Sequence, residues 1–109
     1  MTTTYKVLGQ LATAAATEAN VYVVPAANSA VISSVTVCNR SSTTTTYRLL
    51  VKVANAATTN SQYLVYDAIA PANDTVFLTL GLTLGAGDVL AANCAAATVS
   101  VNAFGSEIY

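Results

Sequence analysis

All the permanent side-chain charge in this sequence comes from five carboxylates and four cations: Glu18, Asp67, Asp74, Asp88 and Glu107, against Lys6, Arg40, Arg48 and Lys52. Cys38 and Cys94 are its two thiols, and it has no histidine. Without histidine it lacks both the commonest general base and the commonest zinc ligand. Carboxylates alone could hydrolyse a glycoside if two of them faced each other across a sugar. Asp67 is the one carboxylate placed away from turns, so it is the one a folded sandwich could bring near another, but the spacing gives no support for such a pair. Asp74 and Asp88 lie in turn sequences, where an Asp accepts hydrogen bonds from its own backbone. Calcium would need several clustered oxygens, as in an Asp-x-Asp-x-Asp loop, and the sequence has none. Leu80–Gly87 contains three glycines, yet no Lys-Ser/Thr ends it and no helix follows, so it is not a phosphate loop. Asn39-Arg40-Ser41 and Asn73-Asp74-Thr75 match the glycosylation pattern, which has meaning only on a secretory route. The residues therefore give no catalytic, cofactor-binding or metal-ligating candidate, and the expectation is a protein that is not an enzyme. The two cysteines are expected to be free thiols; a bridge needs their Cα atoms within about 7 Å.

What positions these groups must be built from 109 residues, enough for one domain with a single core. Charged residues make up 8% of the chain, against about 25% in ordinary soluble domains. The longest apolar runs, Val21–Ala27 and Val76–Leu82, are broken by Pro, Thr or Gly and fall far short of the ~20 residues of a spanning helix. Aromatic girdles and strands of about 9–11 residues, which a membrane barrel requires, are also missing from the expected pattern. No membrane partner is expected. Nucleic acid is not expected either, because cations at positions 6, 40, 48 and 52 make no basic footprint. The start, Met1-Thr-Thr-Thr-Tyr-Lys6, has no basic region leading into an apolar one, so synthesis in a cytoplasm is expected. A formal net charge of −1 on a Thr-, Ser- and Asn-wetted surface offers little repulsion between copies.

Period-two alternation dominates the chain. Its clearest instance is Val31–Ala54. Tyr47, Leu49, Val51 and Val53 fall on one face of an extended chain, with Arg48, Leu50 and Lys52 on the other. Val31, Val35 and Val37 oppose Ile32, Ser34, Thr36 and Cys38 in the same manner. With the polar stretch 39–46 between them, the two halves predict a β-hairpin with a long tip. Further strands are predicted at Tyr5–Ala12, with Gly9 at a bulge or close backbone approach, and at Asn20–Val24, ended by Pro25. Tyr63–Ile69, Thr75–Leu84, Val89–Asn93 and Thr98–Phe104 follow. In the sixth strand Val76, Leu78, Leu80, Leu82 and Leu84 point inward, against Phe77, Thr79, Gly81 and Thr83. Asn55–Gln62 reads as a loop and Gly105–Tyr109 as a tail. Ala91 and Ala103 contribute little apolar area at inward positions, so the core is expected to be adequate without being deep, and partners to add stability. Eight short strands with turn signals about every 8–12 residues predict an all-β fold, a single antiparallel β-sandwich or small barrel of jelly-roll type.

With no reactive constellation, candidate interface residues are the aromatics and the loop tips. Tyr63 and Tyr66 are expected on opposite faces of one strand, so that one reaches the surface. Tyr5 and Tyr109 lie near the chain ends, and Tyr suits positions where one side is buried and the hydroxyl stays wet. Arg40 sits at the predicted hairpin tip, where it could dock on an acidic partner.

The chain resembles short virion structural proteins of tailed phages, cyanophages among them. The likeness lies in Lys6-Val-Leu-Gly-Gln10, in Tyr22-Val-Val-Pro-Ala26 leading into Ser29–Arg40, in Thr46-Tyr-Arg-Leu-Leu-Val51, in Ala72–Leu90 and in Phe104-Gly-Ser-Glu-Ile108. It departs from the expected pattern at Ala91-Ala92, where a larger apolar residue is usual. The resemblance implies a capsid cement (decoration) protein made in the host bacterial cytoplasm. Such a protein sits on the outer capsid surface of the virion, and its partners are the major capsid protein, further copies of itself, or both. A tail- or fibre-associated subunit is the alternative within the same resemblance. A carbohydrate-binding, adhesin-like module is a separate alternative that rests on the fold, because jelly rolls also host lectins.

Overall fold

Val, Leu and Thr alternating with small polar residues, and interrupted by Pro, Gly and Asn, favour short extended segments over helices. The computed structural model describes residues 1–109 as eight strands: β1 (Thr3–Ala12), β2 (Thr17–Val23), β3 (Ser29–Asn39), β4 (Thr45–Lys52), β5 (Tyr63–Ala70), β6 (Asp74–Leu84), β7 (Val89–Cys94) and β8 (Val99–Ile108). They form two four-stranded sheets, ordered β1-β8-β3-β6 and β2-β7-β4-β5. Every pairing is antiparallel. The order follows from one long hairpin whose legs are β1–β4 and β5–β8. Its rungs are β1:β8, β2:β7, β3:β6 and β4:β5, and rolling it up adds the β8:β3 and β7:β4 contacts. That wrapping is the jelly roll. The shortest dimension, 19 Å, matches two facing sheets about 10 Å apart with their outer side chains.

Between the sheets Ile32, Val35 and Val37 of β3 meet Leu49 of β4, Leu90 of β7, and Val99 and Val101 of β8, all fully buried. Burying each such side chain stabilises the fold by about 1.5–3 kcal/mol. β6 alternates as its sequence predicts: Val76, Leu78, Leu80 and Leu82 pack against the core, while Phe77, Thr79, Gly81 and Thr83 face out.

The predicted hairpin over Val31–Ala54 does not form. β3 and β4 belong to different sheets, and residues 40–44 carry the chain from one sheet to the other. Alternation reports faces within a strand, not which strand lies beside it, and a short polar connection serves a sheet-to-sheet crossing as well as a hairpin. The faces within β3 also shift. Its register steps between Ile32 and Ser34 against both neighbours, so Ile32 rather than Val31 joins Val35 and Val37 inside. Ser33, the extra residue against β8, donates from its Oγ to the Phe104 carbonyl at 3.1 Å.

Two further expectations change at β4 and at the C-terminus. Val53 leaves the strand for a 3-10 turn (Val53–Asn55) and is 67% exposed, whereas Leu50, predicted on the wetter face, is fully buried. The loop after β4 folds back over the outer face of its own sheet, where Leu50, Val89 and Ala91 form a small second core against Tyr63. Ala91 thus lies outside the sandwich, and Ala92 and Ala103 lie within it. Gly105–Ile108, predicted as tail, completes β8 between β1 and β3. Gly105 is needed there: a Cβ would stand 1.9 Å from the Val31 carbonyl oxygen. Gly9 is equally constrained by the Val21 carbonyl, beside a register step between Val7 and Gly9, so the predicted bulge and close approach are both present.

Candidate functional site

Each carboxylate has its own partner. Asp74 accepts from the Thr75 amide at 2.8 Å, and Asp88 accepts from the Gly85 amide at 2.8 Å and the Ala54 amide at 2.9 Å. Glu18 on β2 pairs with Lys52 at 3.1 Å and accepts from the Thr58 hydroxyl at 2.8 Å, tying the β4–β5 loop down over the second core. Asp67 faces Arg48 and no second acid. No three His, Cys, Asp or Glu side chains converge on a common point.

Glu107 differs from the expectation for a tail residue. It points from β8 into the end of the sandwich, is almost wholly buried, pairs with Lys6 of β1 at 2.6 Å and accepts from the Tyr22 hydroxyl at 2.5 Å. Its hydrogen bonds to Lys6 and Tyr22 hold the carboxyl below its usual range. Burial, reinforced by Glu107, drives the Tyr22 phenol well above its own. The cluster joins the two sheets, because Tyr22 comes from the second and the other two from the first. At the opposite end Asn39, also buried, donates from Nδ2 to the carbonyls of Thr43 and Ala70, and accepts at Oδ1 from the Ser41 amide and the Thr98 hydroxyl. One side chain thereby fastens three connections, and its amide is spent on the fold rather than offered to a glycan.

Cys38 lies half-buried on the first sheet and Cys94 buried on the second, and neither is bridged. Burial raises the Cys94 pKa, which keeps it a thiol.

The five predicted interface residues do not form one patch. Tyr5 is 84% exposed on β1, near Tyr109, whose hydroxyl lies 3.2 Å from the Thr4 hydroxyl. Arg40 is exposed at the other end of the molecule, reaching the Ala97 carbonyl at 3.4 Å. Tyr63 and Tyr66 stand together rather than on opposite faces, their rings edge-to-face with centroids 4.9 Å apart. The register of β5 slips against β4 on either side of Leu49, and Asp67 takes a left-handed φ of 54°. The extra residues rotate Tyr66 onto the outer face already occupied by Tyr63. Arg48 lies over the Tyr66 ring, 4.1 Å from its centroid, and makes a two-pronged bond to Asp67 at 2.7 and 3.3 Å. That bond holds the Asp67 carboxyl below its usual range.

Two surface depressions are present. One, of about 260 Å³, lies beside Arg48 and Asp67 with Thr46 and Asn93; the other, of about 330 Å³, lies over Gln10, Leu11 and Asn102. The first falls below, and the second barely above, the floor of about 300 Å³ typical of small-molecule pockets. The larger surface signal is apolar. Leu64, Tyr66 and Ile69 on β5 and Phe77 on β6 are all substantially exposed, Phe77 at 76%. Phe77 was legible as an outward residue of β6. Ile69 was hidden by the slip in β5, which the sequence does not announce. No helix is long and apolar enough to cross a membrane. No protein-family model matches this chain, and no curated protein or solved structure matches it either.

Proposed function

We propose that this chain is a non-enzymatic structural subunit of a bacteriophage virion, a capsid cement protein that lodges between major capsid subunits on the outer shell. The observation that carries the reading is the surface itself: a jelly roll of net charge −1 whose exterior displays Tyr5, Tyr66, Ile69 and Phe77. Exposed aromatic and aliphatic side chains on a weakly charged surface suit contact with other proteins. Each carboxylate is tied to a structural partner, which leaves no acid free for general acid–base work. Contacts of modest area become strong when one subunit bridges two neighbours, because the second contact forms at high effective concentration.

The direct test is co-sedimentation of the purified chain with shells assembled from the major capsid protein alone. Saturable pelleting, with Tyr5→Ala and Ile69→Ala each weakening it, is the expected result. A chain that stays in the supernatant at every shell concentration contradicts the cement role.

A further inference from the structure

On one side of the sandwich β1 and β2 lie against each other; on the other, β5 and β6 are far less closely joined. β6 ends its sheet, and no residue of Asp74–Leu84 takes part in any backbone hydrogen bond outside the sheets. One row of its N–H and C=O groups is therefore unpaired by backbone. Natural edges are usually protected by charge, proline or bulges. β1 carries Lys6 and a register step, β2 carries Glu18 and a register step, and β5 carries Asp67 at its left-handed bend. β6 carries no charge or proline after Asp74. Like β1 and β2 it has one extra residue against its neighbour, Leu80 and Gly81 lying opposite Ser33 alone, but its side chains alternate without a break from Val76 to Leu84, so the strand stays straight enough to pair.

We infer that β6 is the seam of a homodimer, pairing antiparallel with β6 of a second copy about a two-fold axis through Thr79. The sequence of the strand is self-complementary about that residue. Turned on itself, Thr-Val-Phe-Leu-Thr-Leu-Gly-Leu-Thr sets Leu78 opposite Leu80, Phe77 opposite Gly81, Val76 opposite Leu82 and Thr75 opposite Thr83. Every inward residue meets an inward apolar residue. On the outer face each exposed Phe77 ring meets the one residue with no side chain. The place where a Cβ of Gly81 would stand has no atom within 4 Å, so it has room for the ring. An aromatic laid across a glycine on the neighbouring strand is a recognised stabilising pair. A two-fold needs one patch that complements itself, and this strand supplies it. The two copies then share one continuous eight-stranded sheet, β1-β8-β3-β6 followed by its mirror order.

Nine strand residues give a seam about 30 Å long at ~3.3 Å per residue, at the small end of specific interfaces, so self-association in the micromolar range is expected. The inference deepens the structural-subunit reading, on which it rests for its use, by naming one partner and the surface that takes it.

Sedimentation equilibrium separates the outcomes, because Thr79 faces its own copy and is exposed on the monomer. Wild type should approach twice 11.1 kDa. Thr79→Lys and Thr79→Asp should each weaken dimerisation by about tenfold or more, since like charges directly opposite on paired strands repel. An equal mixture of the two should restore it, which neither variant could do if it had merely misfolded. Ile69→Lys, on the outer face of the other sheet, should dimerise as wild type. A wild-type monomer at all concentrations up to about 1 mM overturns the seam. So does a dimer that survives in both Thr79 variants. If such a monomer still pelleted with capsid shells, the seam would fall and the cement role would stand.

Discussion

Glu107 carries a negative charge into the end of the sandwich because Lys6 and Tyr22 wait for it there. Its folded pKa lies below the unfolded value of 4.5, so the ionised form favours the fold. The stability it supplies is complete above the unfolded value and is lost as pH falls through the depressed folded one. Urea midpoints should therefore decline below about pH 4.5, and Glu107→Gln should flatten that part of the decline. At neutral pH the substitution should cost about 1–2 kcal/mol, because the amide still accepts from Tyr22 and half-exposed Lys6 returns to water. An unchanged acid profile would mean the cluster contributes nothing as an ion. At this scale the sequence was least informative: Glu107 and Asn39 look like surface polar residues until strands distant in sequence surround them. Asp74 and one carboxylate oxygen of Asp88 were legible because Thr75 and Gly85 are close by in the same turns, whereas the Ala54 amide on the other Asp88 oxygen was not.

The loop after β4 decides the fate of a whole face. Held by Glu18–Thr58, by the Ala54 amide on Asp88 and by Gln62 bonded to the Ala57 carbonyl at 3.0 Å, it covers Leu50, Val89 and Ala91. Leu50→Ala should cost about 2–4 kcal/mol, as for a filled core position. Val53→Ala, at an exposed turn, should stay within about 0.5 kcal/mol. Chemical denaturation of the two variants checks the pair, and equal costs would return the loop to the status of a slack connection. Strand positions in β5, β6 and β7 were legible to within a residue, because apolar periodicity and turn chemistry are local. The partnership of β3 with β6 and β8 was not, because pairing is set by how the whole chain rolls up. The bulges at Ser33 and Asp67, which redirect Ile32 and Tyr66, left no mark in composition.

The whole molecule has two well-tied ends, a closed side where β1 meets β2, and an open side where β5 and β6 present apolar residues. The jelly roll itself was legible from eight evenly spaced strands. The five residues chosen for their type lie in three separate places, and the exposure of Ile69 on the open side follows from a slip in β5 that the sequence does not announce. A chain with this little charge keeps few means of holding neighbours away, and the open side gives neighbours a reason to settle. The most direct test of its role is cryo-EM of purified phage particles with the chain located in the map. Density for this jelly roll is expected at repeated positions on the outer capsid, in contact with two major capsid subunits. Density confined to the tail tip, or none on the particle at all, would contradict it.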